Sequence, residues 1–394
     1  TGDDGDDQLT ITAVDADSLL VTPTMPTTLN GAGDPVTFDG VVQDLVLTLG
    51  LGANQTTIDT LAVPGALVAK GGAGSDVIAV DEAIFNAGMK IDLGAGVNVL
   101  TFTFGNVGGK LTYKGGADAD TISIADSALI GAPTFGLGAG INVVLLSRTV
   151  VGGKLVYKGG AEIDNLIATE VAMPASSVTL KMGAGDNVAS LDTVALDRMS
   201  YTGGAGTDTL LLDEVGVTDD LKIAAGAGAN ILTASASNVG DDAAFKGGAD
   251  TDTAVFVGST VTGKMTATMG AGTNAFVLGT VTVGGKLAHK GGKGDDIASL
   301  AAATVAGPAA LDLGDGANVF QLATGSSLAT VTVKAKAGLD TIDMSGSQVT
   351  GNAAFAIGAG NNTVRADGIA FGADLAIKAG GGDDTVELLN GTTV

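Results

Sequence analysis

The chain has 394 residues, 63 of them glycine and seven proline, with 4% aromatic residues and neither cysteine nor tryptophan. Its 43 acidic and 19 basic side chains leave a net charge of −24, which argues against a nucleic-acid partner, because neutralising phosphates needs clustered Lys and Arg. No run of about 20 apolar residues occurs and no signal-peptide pattern opens the chain, so neither membrane insertion nor a retained targeting segment is expected, and a first residue of Thr suggests processing or a fragment.

Residues 1–45 are irregular and acidic. Pro23, Pro26 and Pro35 interrupt any pattern, and the first 69 residues hold ten Asp and no base before Lys70. Gly2 to Ile11 reads as a turn followed by a strand, so this stretch is expected to form one or two modified coils with an excursion.

Residues 46–394 are periodic. A polar residue returns every 22 positions and alternates between Asn and Asp: Asn54, Asp76, Asn98, Asp120, Asn142, Asp164, Asn187, Asp208, Asn230, Asp252, Asn274, Asp296, Asn318, Asp340, Asn362 and Asp384. Only the two intervals flanking Asn187 deviate, by one residue each. A fixed period of this size predicts a solenoid in which each coil stacks only on its neighbours.

Residues 22 apart then form columns, and an interior column must be apolar or fully hydrogen-bonded. Seven before the ladder stand Ile91, Tyr113, Phe135, Tyr157, Phe245 and His289; two and four after it stand pairs such as Leu100 and Phe102 or Phe276 and Leu278. That spacing of two is the strand signature. Nine after the ladder lie Phe85, Val107, Leu129 and Val151, a series broken only by Ser327. Three short inward segments per coil, separated by Gly-rich turns, predict an all-β parallel β-helix, its right-handed sense being assumed. At roughly 4.8 Å per stacked strand, some seventeen coils would make a rod on the order of 80 Å long. Asp coils carry Gly five before the ladder (Gly71, Gly115, Gly159), where Asn coils carry Leu93, Leu137 or Met182, a large-beside-small alternation that fills a core.

Gly71-Gly72-Ala73-Gly74-Ser75-Asp76-Val77-Ile78-Ala79 resembles the Gly-Gly-x-Gly-x-Asp-x-apolar-x nonapeptide of RTX, haemolysin-type calcium-binding proteins, as does Gly203 to Leu211. The resemblance implies an extracellular bacterial protein whose turns bind calcium (Ca2+) through the Asp carboxylate and backbone carbonyls. That family repeats every nine residues, whereas one such turn occurs here per 44, and Asn coils carry Gly-Ala-Gly-x-Asn instead. Asp residues on alternate coils stand roughly 9.6 Å apart, too far to share an ion directly. A hydrogen-bonded ladder is therefore the favoured reading, with Asn or Asp tolerating a left-handed turn conformation, similar in kind to the Asn ladder of pectate-lyase-like β-helices.

The ends are the better place for metal: Asp3, Asp4, Asp6 and Asp7 cluster at one, Asp383 and Asp384 at the other, beside Glu387. No capping segment is evident, and uncapped ends invite head-to-tail stacking, with calcium between the two acidic faces. His289 reads as an interior imidazole, since a catalytic base needs a nucleophile and an orienting acid beside it. Lys70, Lys114, Lys158, Lys246, Lys290, Lys334 and Lys378 form an outward stripe, a candidate anion or glycan site. Glycan-active β-helix enzymes use long loops and aromatic platforms, which a near-constant coil length and three Tyr do not supply.

The sequence thus points to a secreted or cell-surface structural protein, without catalytic residues, that stacks head-to-tail with itself into an extracellular fibre or matrix. The alternative is an adhesin stalk or passenger, or a calcium-binding RTX-like segment of a larger surface protein. A glycan-active enzyme is the third reading.

Overall fold

The computed structural model describes residues 5–15, 18–24, 27, 33–40 and 43–394. Among them are 46 strands and no helix. The chain divides into two compact units, Thr1–Asp197 and Arg198–Val394, each built from the same parallel coil.

In the first unit, one coil consists of Asn98–Thr103, Asn106–Val107 and Lys110–Lys114. Each strand pairs in parallel with its counterpart 22 residues on: Leu100 with Ile122, Val107 with Leu129, Thr112 with Thr134. The second unit repeats this, as in Ala254 with Phe276 and Phe245 with Ala267. Within each unit, first strands lie in one sheet and second and third strands share the other, and in Ala172–Lys181 and Thr304–Asp312 the second and third strands fuse into one continuous strand.

The alternation of apolar and polar residues in each first strand puts one face inside. Ile78, Leu100, Phe102 and Val144 are fully buried, as are Ile91, Phe135 and Phe85 from the other sheet. Two further columns close the core: Leu67, Met89, Leu111 and Leu155 nine residues before the ladder, and Leu61, Ala83 and Val171 seven after it. Each large buried side chain contributes about 1.5–3 kcal/mol relative to exposure, and every coil adds several.

The chain passes from one sheet to the other through a left-handed residue six after the ladder. In the first unit these are Thr60, Glu82 (φ 48°), Phe104 (52°), Asp126, Arg148, Glu170 and Thr193; in the second they include Glu214, Ala236, Thr280 (55°), Ala302 and Asn390. The ladder residues themselves do not have positive φ, contrary to the sequence expectation. The left-handed positions are this corner and turn glycines such as Gly94 (77°) and Gly96 (96°), where the absent Cβ lets the turn close.

Two irregularities have local causes. Val150 pairs with Ala172, 22 residues on, but Leu155 pairs with Val178, 23 on; the extra residue sits at left-handed Ala175 (φ 58°) and lengthens the interval to Asn187. In the second unit an extra residue at Gly325 shifts the pairing, so that Val305 meets Leu328 and Leu328 meets Val349. Fully buried Leu328, not Ser327, thus continues the inward column, and the break expected at Ser327 is absent.

At the N-terminal end, Gln8–Ala13 is the first strand of a coil, pairing in parallel with Gln55–Asp59 in the register Gln8 to Gln55. Ser18–Pro23 then lies antiparallel on its other edge, and Val36–Asp39 antiparallel on that. Leu45–Thr48 rejoins the coil as a third strand against Leu67 to Lys70. The excursion therefore covers the edge that the sequence suggested was bare. In the last coil, Thr385–Leu389 pairs with Thr363–Asp367 in the usual register, leaving Val386 48% and Leu388 51% exposed where the preceding coil buries Val364 and Ala366 completely.

Candidate site in the Asn/Asp ladder and its turns

The Gly-rich turn before each first strand delivers the ladder side chain into the core, where hydrogen bonds replace water. The backbone N–H of one rung donates to the Oδ1 of the next: Asp76 to Asn98 at 3.0 Å, Asp120 to Asn142 at 2.9 Å, Asp252 to Asn274 at 2.9 Å and Asp340 to Asn362 at 2.9 Å. The Asn amide nitrogen donates twice. That of Asn98 reaches the Gly96 carbonyl at 2.9 Å and Asp120 Oδ1 at 3.0 Å; that of Asn274 reaches Gly272 at 3.1 Å and Asp296 at 2.8 Å.

Asp coils close differently. The second carboxylate oxygen folds back onto its own turn, accepting from the N–H of Gly160 in Asp164 (2.6 Å), Gly248 in Asp252 (2.6 Å) and Gly292 in Asp296 (3.0 Å). This oxygen explains the glycine five before Asp76, Asp120, Asp164, Asp208, Asp252 and Asp296: a Cβ on Gly71, Gly115, Gly159, Gly203, Gly247 or Gly291 would collide with the Asp carboxylate of the same coil and a backbone carbonyl of the next, whereas Ala335 and Ala379 stand at that place before Asp340 and Asp384. Asn turns thus present carbonyls inward and the turns of Asp164, Asp208, Asp252 and Asp296 present an N–H, so in these coils the side-chain alternation and the turn alternation are one device. The pattern runs through Asn54, Asp76, Asn98, Asp120, Asn142, Asp164 and Asn187 in the first unit. In the second it runs from Asp208 through Asn230, Asp252, Asn274, Asp296, Asn318, Asp340 and Asn362 to Asp384, and all but Asp384 are buried.

Burial pushes the carboxyls of Asp76, Asp120, Asp164, Asp296 and Asp340 above their ordinary range, against the lowering effect of the Asn and turn N–H bonds. In Asp76, Asp120 and Asp340 the second oxygen is buried without a hydrogen bond of good geometry. Burial also raises the Tyr113 hydroxyl, which faces Asp120. Asn amides and backbone N–H groups donate to the ladder carboxylates, whereas calcium needs six to eight oxygens, so the hydrogen-bonded rungs do not fit the ion that the RTX-like turns imply.

Of the acidic residues at the chain ends, Asp3 and Asp4 lie outside the described residues. Asp6 and Asp7 share the first turn: Asp6 accepts from the Ala53 N–H at 2.7 Å, and the Asp7 N–H donates to Asn54 Oδ1 at 3.1 Å. Asp7 is therefore a rung, one that sequence spacing missed because the excursion separates it from Asn54. Asp384 is the last rung, accepting from the backbone and side chain of Asn362 at 3.0 and 2.9 Å. Neighbouring Asp383 is exposed, its N–H donating to Asn361 at 2.9 Å.

Sequence reasoning also missed a group in the second unit. Asp219, Asp220 and Asp241 bring carboxylate oxygens within 4.8 Å of one another; the signal was an Asp-Asp pair recurring 22 residues later at Asp241-Asp242. Bases crowd it: Arg198 bonds Asp219, Lys222 lies 2.7 Å from Asp220 and Lys264 2.8 Å from Asp242. His289 pairs in register with Ala267 and Leu311 and stacks on Phe276 with ring centroids 5.3 Å apart. Neither ring nitrogen has a hydrogen-bond partner, and burial pushes its pKa down to about 4.

These features define a parallel β-solenoid repeat protein. No protein-family model matches the chain, and no curated protein matches it in sequence.

Proposed function

We propose that the chain is an extracellular or cell-surface structural protein whose role is to extend a stack of coils, end to end with further copies, into a fibre or matrix. The supporting observation is the strand Thr385–Leu389. It keeps the register of the inner coils, Val364 to Val386 and Ala366 to Leu388, yet leaves Val386 and Leu388 exposed and its outer edge unpaired among the described residues. A following coil, from further chain or from a second copy, completes both the hydrogen bonds and the apolar columns. Because Ser18–Pro23 and Val36–Asp39 cover the first coil, a head-to-tail joint meets the edge strand Val36–Asp39. Calcium at that joint would be met from the last coil by exposed Asp383 and Glu387; Asp6, in the first coil, stands two strands back from that edge.

The covered first coil also favours the alternative of an adhesin stalk or RTX-like segment, in which the stack grows in one direction only. Electron microscopy and sedimentation of the chain, with calcium or with chelator, separate the two. The fibre reading expects concentration-dependent linear assemblies that the substitutions Val386→Asp and Leu388→Asp abolish. Monomers at every concentration, with or without calcium, sink it, and chelation without effect on length removes the ion from the joint.

A further inference from the structure

The lysines are segregated. The arginines are Arg148, Arg198 and Arg365, and every lysine except Lys293 and Lys336 lies on a third strand or one residue before it. First strands carry no lysine, while Asp59, Asp81, Asp192, Asp213, Asp343 and Asp367 sit there. Among the described residues Lys70, Lys246, Lys286, Lys290, Lys334 and Lys378 form no ion pair, the paired lysines being Lys114, Lys222, Lys264 and Lys336.

The register sets the spacing. In the second unit one outward column reads Ala224, Lys246, Thr268, Lys290, Asp312, Lys334, Ala356, Lys378. A cation thus recurs on every second coil, roughly 9.6 Å apart. In the first unit Lys158 and Lys181 are direct cross-strand neighbours, a like-charge pair that destabilises a sheet and that an anionic ligand would relieve.

The column beside it is flat: Thr266, Ala288, Ala310 and Thr332. Ala288 and Ala310 floor a shallow depression of about 330 Å³ bordered by Lys286, Lys334, Asp312 and Thr332. Small residues leave room for a ring to lie against the sheet, with a lysine at either side and Thr332 between. The Asp312 carboxylate, in register between Lys290 and Lys334, is the one negative charge in the lane and accepts from sugar hydroxyls rather than facing a carboxylate.

We propose that this face binds a linear anionic polysaccharide, carboxylated once per disaccharide, laid along the stack with one sugar ring in the depression between Lys286 and Lys334. A period of two coils is of the order of an extended disaccharide, so successive carboxylates meet successive lysines. The lane has no exposed aromatic residue on which bases stack, which favours a carboxylated sugar chain over nucleic acid. The net charge of −24 does not override this, since charges on other faces are screened over about 8 Å at physiological salt. The inference rests on the extracellular reading for where such a polymer is met, and not on self-assembly.

The test is binding of the full chain to immobilised hyaluronan at about 0.15 M salt, with dextran as the neutral polymer and a single-stranded oligonucleotide as the other polyanion. Wild type is expected to bind hyaluronan and not dextran, with affinity falling as salt rises. The triple variant Lys286→Gln, Lys290→Gln, Lys334→Gln should bind about tenfold more weakly or worse, and Lys293→Gln with Lys336→Gln, off the lane, should bind as wild type. Circular dichroism identical to wild type keeps the comparison one of binding. No binding even at low salt, equal loss in both variants, or equal or tighter binding of the oligonucleotide overturns the proposal. Sedimentation without polymer distinguishes the remaining case: if the triple variant alone changes self-association, the lane belongs to a second copy and the glycan assignment fails, leaving the end-to-end reading to its own test.

Discussion

Asn142 and Asp164 hold two coils together through one nitrogen: the Asn142 amide donates to Asp164 Oδ1 at 2.7 Å and to the carbonyl of Gly140, in its own turn, at 2.8 Å. Asp164 answers with its other oxygen, which takes the Gly160 N–H at 2.6 Å. The two side chains are nearly isosteric, yet exchanging either reverses a donor that the turn geometry requires. The alternation is therefore fixed by hydrogen-bond polarity.

Asn142→Asp removes both donations and sets carboxylates on adjacent buried rungs. The expected loss is about 3–5 kcal/mol at pH 7, the range for an uncompensated buried charge. Urea unfolding measures it; a loss under about 1 kcal/mol would show that the rung carries no structural weight.

The glycine five before Asp164 gives a sharper contrast. Gly159→Ala forces a methyl group into Asp164 Oδ2 and the Met182 carbonyl, and overpacking of this kind costs about 1–3 kcal/mol. Gly216→Ala, where a Cβ meets nothing within 4 Å, should change stability by no more than about 0.5 kcal/mol. Equal thermal shifts in the two variants would mean that the carboxylate does not occupy the space the glycine leaves.

The period made the coil legible, because a column that repeats in sequence repeats in space. Ile91, Phe135, Phe85 and Leu100 could be assigned to the interior on spacing alone. The corner six after the ladder could not: Glu82, Phe104 and Thr193 share no chemistry, only a backbone conformation, and left-handed φ is read from glycine or not at all. The column seven after the ladder mixes Leu61 and Ala83 with Ser127 and Thr149, whose hydroxyls bond to the Ala125 and Ser147 carbonyls at 2.6 and 2.9 Å, so hydropathy hides it. Asp7 and Leu328 were missed for another reason. Each lies beyond an insertion, and a fixed count of 22 steps over the structural neighbour.

At the corner, Thr60, Thr193 and Thr280 are exposed, β-branched and left-handed, Thr280 at φ 55°; the hydroxyls of Thr60 and Thr193 bond to Asp59 and Asp192, which leaves Thr280 for the test. A left-handed L-residue costs roughly 1–2 kcal/mol, which glycine avoids at some cost in chain entropy. Thr280→Gly is expected to stabilise the protein by about 1 kcal/mol, and Ser299→Gly on the neighbouring strand should not. A lower melting temperature for Thr280→Gly would show that the hydroxyl or methyl group holds the corner in a way its exposure does not suggest.

Acid should act on the two kinds of buried titratable group in opposite directions. Burial raises the carboxyls of Asp76, Asp120, Asp164, Asp296 and Asp340, so their contribution is fully present below the ordinary value of 3.8 and is lost as pH rises through the folded value. His289 is lowered from 6.5 to about 4 by burial, so its contribution is present above pH 6.5 and lost as pH falls to about 4, some 3 kcal/mol by linkage. His289→Phe should fit, since Phe135 and Phe245 already occupy this column, and it keeps the stack on Phe276. The difference in unfolding free energy between the variant and wild type should grow by about 3 kcal/mol in the variant's favour from pH 7 to pH 4, then level off at lower pH. A difference that stays constant across that range would mean that the imidazole finds a proton-bearing partner or solvent in the folded state, and that the stacked, unpartnered geometry is wrong.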